Sequence, residues 1–135
     1  MDEIKRQEWM GLSGATQAEL EIIARTTPLI LVRCSRDLRY AYVNHASAAL
    51  FGLTPEQMIG RPIAEVMGAE AFAIIKPYID RVLQGEAVQY EAQVPYPSAG
   101  TRWMNVSYIP HRDGDGQVSG WIASIVDVTD AKRAE

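Results

Sequence analysis

Hydrophobic and polar positions along the chain follow two periods, and the switches between them mark the elements. Residues 29–34 (LILVRC) are a short apolar run after Pro28, which predicts a first strand. Residues 35–39 are polar and turn the chain. Tyr40, Tyr42 and Val43 then favour a pleated, half-buried surface and predict a second strand. Further on, Val88, Tyr90, Ala92 and Val94 alternate with Gln89, Glu91 and Gln93, so one face of that strand is buried. Another strand is predicted over 101–110 and a last one over 118–128. The last carries Trp121, Ala123 and Ile125 on one face, with Ile122 and Val126 on the other, which predicts a central strand covered on both sides. Phe72, Ile75, Ile79, Val82 and Leu83 instead follow helical spacing, so 69–83 is predicted as the longest core helix. Pro77 lies inside it, and a proline there removes one hydrogen bond and crowds the preceding turn, which predicts a bend or a restart.

The stretch between the second strand and that helix is dense in start and stop signals. Asn44 stands where an N-cap belongs, residues 45–51 follow, and Gly52 suits a left-handed helix stop. Thr54-Pro55-Glu56-Gln57 opens a second short helix with a capping box and a proline at its first position, and Gly60 closes it. Residues 61–68 make a short link, irregular or helical. Asp113-Gly114-Asp115-Gly116 is the strongest hairpin signal in the chain. Residues 2–25 read as two helical pieces broken at 11–14, the second opened by the capping box Thr16-Gln17-Ala18-Glu19.

Two strands, helices and three strands predict an α+β domain with one five-stranded antiparallel sheet, short helices and one long helix on one face. Helices on one face leave Trp103, Ile109, Ile122 and Val126 on the back of the sheet, and apolar patches of that kind meet a partner or another part of the chain. Residues 1–27 are the available cover. Trp9, Leu20 and Ile23, with Trp103 and Ile122, are the expected cap and dimer contacts, and an intramolecular helical cap alone is the alternative.

Composition narrows the partners. The chain has 135 residues, 47% of them apolar, enough for one folded domain. A net charge of −4 argues against direct nucleic-acid binding, which needs a basic face. No run of about 18 apolar residues exists to span a membrane, and the N-terminus lacks the apolar core of a secretion signal. A single cysteine, Cys34, excludes an internal disulfide and suits a reducing cytoplasm.

Several of these features, in order, resemble one family. They are Asn44 after the second strand, Phe51-Gly52, the run from Thr54 to Gly60, and Gln84-Gly85-Glu86 ahead of a strand. Trp103 and Pro110 in one strand and the Asp113–Gly116 hairpin continue the series. Asp127-Val128-Thr129 is similar to an Asp-Ile-Thr signature, with valine for isoleucine. Together, over residues 19–130, they resemble the PAS family of sensory domains. The resemblance implies an N-terminal segment over 1–27, a PAS-like sensory domain over 28–130, and the start of a C-terminal linker helix over 131–135. It implies a regulatory domain, not itself an enzyme, that signals to an output module such as a histidine kinase or cyclase, with Asp127 and Thr129 relaying the signal.

The resemblance also implies where ligands would sit. Haem-binding members usually carry the iron ligand on the long helix, and 69–83 has no histidine. Members with covalent flavin chemistry place a cysteine in an Asn-Cys-Arg motif ahead of that helix, where this chain has Met67-Gly68-Ala69-Glu70. Both cofactors are disfavoured, and the cofactor is otherwise open. A pocket between helices and sheet would be lined by Val32, Phe51, Met58, Phe72, Ile75, Ile79, Met104, Val106, Tyr108, Trp121, Ala123 and Ile125. Facing Met104, Val106 and Tyr108 inward rests partly on the resemblance. Such a lining suits a small apolar or aromatic ligand, with Tyr108 and the Trp121 indole as polar handles. The competing reading is that these side chains fill the core.

Other chemistry finds little support. His45 and His111 have no second ligand at metal spacing, so no metal site is expected. Asp113-x-Asp115-x-Gln117 opens like a calcium loop, but Val118 and Ser124 stand where glycine and glutamate are needed. Cys34 reads as a small hydrophobe beside Ile30 and Val32. Two rival functions remain. One is a ligand-free dimerisation scaffold. The other is a small enzyme using Tyr108 with a carboxylate, weakened because no Asp or Glu falls on the inferred inward faces.

Overall fold

A computed structural model describes residues 29–134. β1 (Leu29–Ser35) and β2 (Tyr40–Val43) come first, joined by a tight turn in which Leu38 takes a left-handed backbone (φ 64°). Helices α1 (His45–Ala49), α2 (Pro55–Met58), α3 (Ile63–Met67) and α4 (Ala69–Leu83) follow. Strands β3 (Val88–Tyr96), β4 (Gly100–Arg112) and β5 (Val118–Asp127) complete the sheet, and α5 (Thr129–Ala134) leaves it. The predicted helical pieces of residues 1–27, with Trp9, Leu20 and Ile23, lie outside the described residues.

The strand order is β2-β1-β5-β4-β3, every pairing antiparallel, which gives the expected five-stranded sheet with β5 at its centre. Register fixes which side chains share a face, because a slip of one residue would turn every side chain over. Val32 stands opposite Ala123, and Tyr108 opposite Ala123 on the other side. Val88 pairs with Tyr108 and Tyr90 with Val106. These residues, with Ile30, Cys34, Met104 and Trp121, form one buried face under the helices. Trp121, Met58, Ile63, Ile79, Met104, Val82 and Val94 are almost wholly buried. Burying each such side chain stabilises the fold by about 1.5–3 kcal/mol.

Local signals in the sequence account for the short helices. The Asn44 side chain accepts from Ser47 N at 3.0 Å, capping α1. Thr54 and Gln57 exchange both bonds of a capping box, with Pro55 at the first turn of α2. The link over 61–68 is helical, as α3.

Two expectations change. α4 is one unbroken helix of 15 residues despite Pro77. Pro77 and Ala73 are both exposed, so the carbonyl that loses its N–H partner faces water and the ring has room. The outer face of β5 is only partly covered: Ile122 is half-buried, but Val126 is 43% exposed.

Candidate functional site

Between α1, α3, α4 and the inner face of the sheet lies a cavity of about 50 Å³. A buried water occupies roughly 10–15 Å³ on this measure, whereas sites for drug-sized ligands span roughly 300–1,000 Å³. Most of the interior is therefore filled by side chains, with a residual space for a few atoms. A ligand larger than that requires the short helices to move.

Of the twelve residues predicted to line a pocket, eight face this space: Val32, Phe51, Ile75, Val106, Tyr108, Trp121, Ala123 and Ile125. Met58, Ile79 and Met104 are buried elsewhere in the core, and Phe72 packs half-buried against it. Ile30, Cys34, Tyr40, Tyr90, Val94 and Tyr96 also line the cavity, as do Ser47, Ile63 and Met67 from the helices and Leu50 just after α1. Tyr90 and Val94 fall on the face that alternation marks as buried, and Cys34 stands beside Ile30 and Val32 as expected, but none of Ile30, Cys34, Tyr90 and Val94 was among the expected lining residues. Tyr96 was missed because β3 runs two residues past the predicted end of its strand. The helical contributors answer only to tertiary packing, which local periodicity does not encode.

The lining is apolar with a rim of phenols. Tyr78 stacks on Tyr90 (ring centroids 3.7 Å, interplanar 5°), and the Tyr90 and Tyr108 hydroxyls share a hydrogen bond of 2.7 Å. Tyr108 tilts against Trp121 at 6.0 Å, and Tyr96 meets Phe51 edge-on at 5.5 Å. Burial pushes the ionisation of Tyr40, Tyr90, Tyr96 and Tyr108 well above the ordinary phenol value, so all four are neutral donors. The Tyr40 and Tyr96 hydroxyls have no hydrogen-bond partner among the described residues. Cys34 is buried and its thiol is pushed far up by desolvation, which suppresses the reactive thiolate.

At the end of β5 the same face carries Asp127, two residues after Ile125. This corrects the expectation that no carboxylate falls on the inward faces. Asp127 is not free for acid–base work, because Arg102 Nε donates to its Oδ2 at 2.7 Å. Its Oδ1 accepts from Thr129 N at 2.9 Å. Burial raises its pKa, but the hydrogen bonds from Thr129 and Arg102 outweigh that and hold the carboxyl below the usual aspartate value. Thr129 is buried, and its Oγ1 accepts from Trp103 N at 2.8 Å. Asp127 and Thr129 therefore fix where α5 leaves the sheet.

Trp103 and Ile122 lie half-buried on the outer face of the sheet. His45 is exposed. His111 Nδ1 is buried without a hydrogen-bond partner among the described residues, and desolvation holds its pKa down. No group of three or more His, Cys, Asp or Glu among the described residues could hold a metal ion, and no described helix is long and apolar enough to cross a membrane.

Compared with known proteins, residues 25–133 match a family model described as the PAS fold. The methanogenesis regulatory histidine kinase FilI of Methanothrix harundinacea is 30% identical over 96 residues. The match covers 71% of this chain but only 11% of that kinase. The crystal structure of a sensory box sensor histidine kinase from Vibrio cholerae superposes with a TM-score of 0.67 at 21% identity, covering 92% of this chain and 98% of that one. VqmA of Vibrio cholerae, in a complex with ligand and DNA, superposes with a TM-score of 0.70 at 24% identity, covering 86% of this chain and 53% of that one.

Proposed function

This chain belongs to the PAS family, and from that membership we propose a sensory module whose cavity takes a small ligand and whose exit helix reports it. The reading rests on one observation: an apolar cavity lined by four tyrosines, Tyr40, Tyr90, Tyr96 and Tyr108, of which Tyr40 and Tyr96 spend their hydroxyls on no hydrogen bond among the described residues. A phenol hydroxyl can donate to a ligand acceptor, so a ligand with a compact apolar body and one or two acceptors suits this lining. A single ring would enter as the short helices shift, whereas a haem or a flavin would need far more room than such a shift provides.

Tyr96 also lies on the same face as Asp127, whose charge adds to the upward push that burial gives its hydroxyl. A ligand engaging Tyr96 would thus alter the surroundings of the Asp127–Arg102 pair and bias α5. Only differential affinity for two packings can drive such a shift. A bias of about 1–3 kcal/mol suffices for regulation. The output would be a module beyond the exit helix, as the histidine kinase relative suggests. Regulation is favoured over catalysis because the Tyr108 hydroxyl is held by Tyr90 and is very hard to ionise.

The outer sheet face, with Trp103, Ile109, Ile122 and the exposed Val126, favours pairing of two copies with help from residues 1–27. Native mass spectrometry of freshly purified protein tests both parts at once. A dimer carrying a small adduct, lost in the cavity-filling variant Ala123→Val, is the expected result. An adduct-free protein whose melting temperature no small aromatic compound raises would sink the ligand, and a monomer at high micromolar concentration would sink the dimer.

A further inference from the structure

The exit helix α5 is short, and six residues do not hold a helix in water unaided. Its first turn is tied down by Thr129, and Val128 N donates to Trp103 O at 2.9 Å. Past Thr129, residues Asp130, Ala131 and Arg133 are exposed, whereas Lys132 is half-buried. Lys132 is three residues after Thr129 and shares its face of the helix. Its Nζ lies 2.6 Å from Glu91 Oε1 on β3 and 5.1 Å from the centroid of the Trp103 ring on β4. Gln93 stands opposite Trp103 in the ladder, so Glu91 and Trp103 are diagonal neighbours on the outer face. One ammonium thus meets a carboxylate and an aromatic face at the same time.

We propose that Lys132 is the positioning residue that keeps α5 docked on β3 and β4, and that its positive charge sets the fraction of time the helix is held. Trp103 is the plate: its backbone N–H and C=O bind residues 128 and 129, and its ring receives the cation. The Lys132 and Glu91 side chains are each about one-third exposed, which makes the latch weak enough to open and sensitive to salt. The proposal needs no ligand, so it stands or falls apart from the cavity reading.

Amide hydrogen exchange at residue 132, whose N–H donates to Val128 O at 2.9 Å, reads the docked helix directly. Lys132→Gln removes the charge while keeping similar helix propensity. It is expected to speed exchange at residue 132 by about fivefold or more and to shift the fluorine resonance of 5-fluorotryptophan at Trp103, leaving that of Trp121 in place. Lys132→Arg should restore wild-type exchange to within about twofold, because arginine serves both contacts. The charge-swapped pair Glu91→Lys with Lys132→Glu keeps the ion pair and loses the ring contact, so it should restore only part of the protection. Exchange at residue 132 that is equal in wild type and Lys132→Gln, or equally fast in Lys132→Arg and Lys132→Gln, would overturn the proposal. Unchanged protection of the β5 amides confirms in every variant that the sheet itself is intact.

Discussion

The Asn44 side chain ties β1 to the start of α1. Its Oδ1 accepts from Leu31 N at 3.2 Å and Ser47 N at 3.0 Å, while its Nδ2 donates to Leu29 O at 2.9 Å. The residue is buried, so its loss leaves backbone groups of β1 and α1 without partners. Asn44→Ala is expected to cost about 2–3 kcal/mol in urea unfolding; a loss under about 0.5 kcal/mol would show that water replaces the side chain freely. Gly120 is constrained differently. A Cβ there would fall 2.1 Å from the Cys34 carbonyl oxygen, a backbone atom that cannot swing aside. Gly120→Ala is therefore expected to lose at least about 3 kcal/mol, and near-wild-type stability would mean that β1 and β5 part easily. The sequence announced Asn44 plainly, because a cap is a local signal. Nothing local singled out Gly120, since its reason lies in a strand some 85 residues away along the chain.

Elements were legible in the sequence wherever a period or a cap defined them. The first strand follows from an apolar run, the second from strand-favouring residues, and the third and last from the distribution of apolar residues over their two faces. The long helix follows from 3.6-residue spacing, and the hairpin between β4 and β5 from its Asp-Gly repeats. The helix does not restart at Pro77, because a proline's effect depends on whether the freed carbonyl meets water, which sequence does not state. The pocket was more legible on the strands than on the helices: alternation carried most strand residues, whereas Ser47, Ile63 and Met67 line it only through packing. At the exit helix, Asp127 offers a pH handle. Its pKa is depressed in the folded protein below the ordinary value of 3.8, so its bonds stabilise fully above that value and are lost as pH falls through the lower folded value. Protection of residues 129–132 should therefore hold from neutral pH to about 4 and fall below it. Asp127→Asn should show weaker protection at neutral pH and a flatter acid dependence. A wild-type profile in that variant would assign the acid step to another group.

At the scale of the whole molecule, one sheet carries both the cavity and the exit helix. Helices α1 to α4 close over an inner face that is nearly full, yet retains a small aromatic space. The far end of β5 meets Arg102 and Thr129 and sends the chain outward. Membership of the PAS family makes this a sensory module, and the chain spans only 11% of the histidine kinase relative's length. The central claim is that filling the space is felt at the exit. An NMR titration with phenol, an apolar ring bearing one hydroxyl, tests it most directly. Amide resonances of Ala123 and Ile125, on the lining, and of Thr129 and Lys132, in α5, should shift together and saturate with one dissociation constant. Saturable shifts on the lining with α5 unmoved, or no saturable shift on the lining at all, would contradict the account.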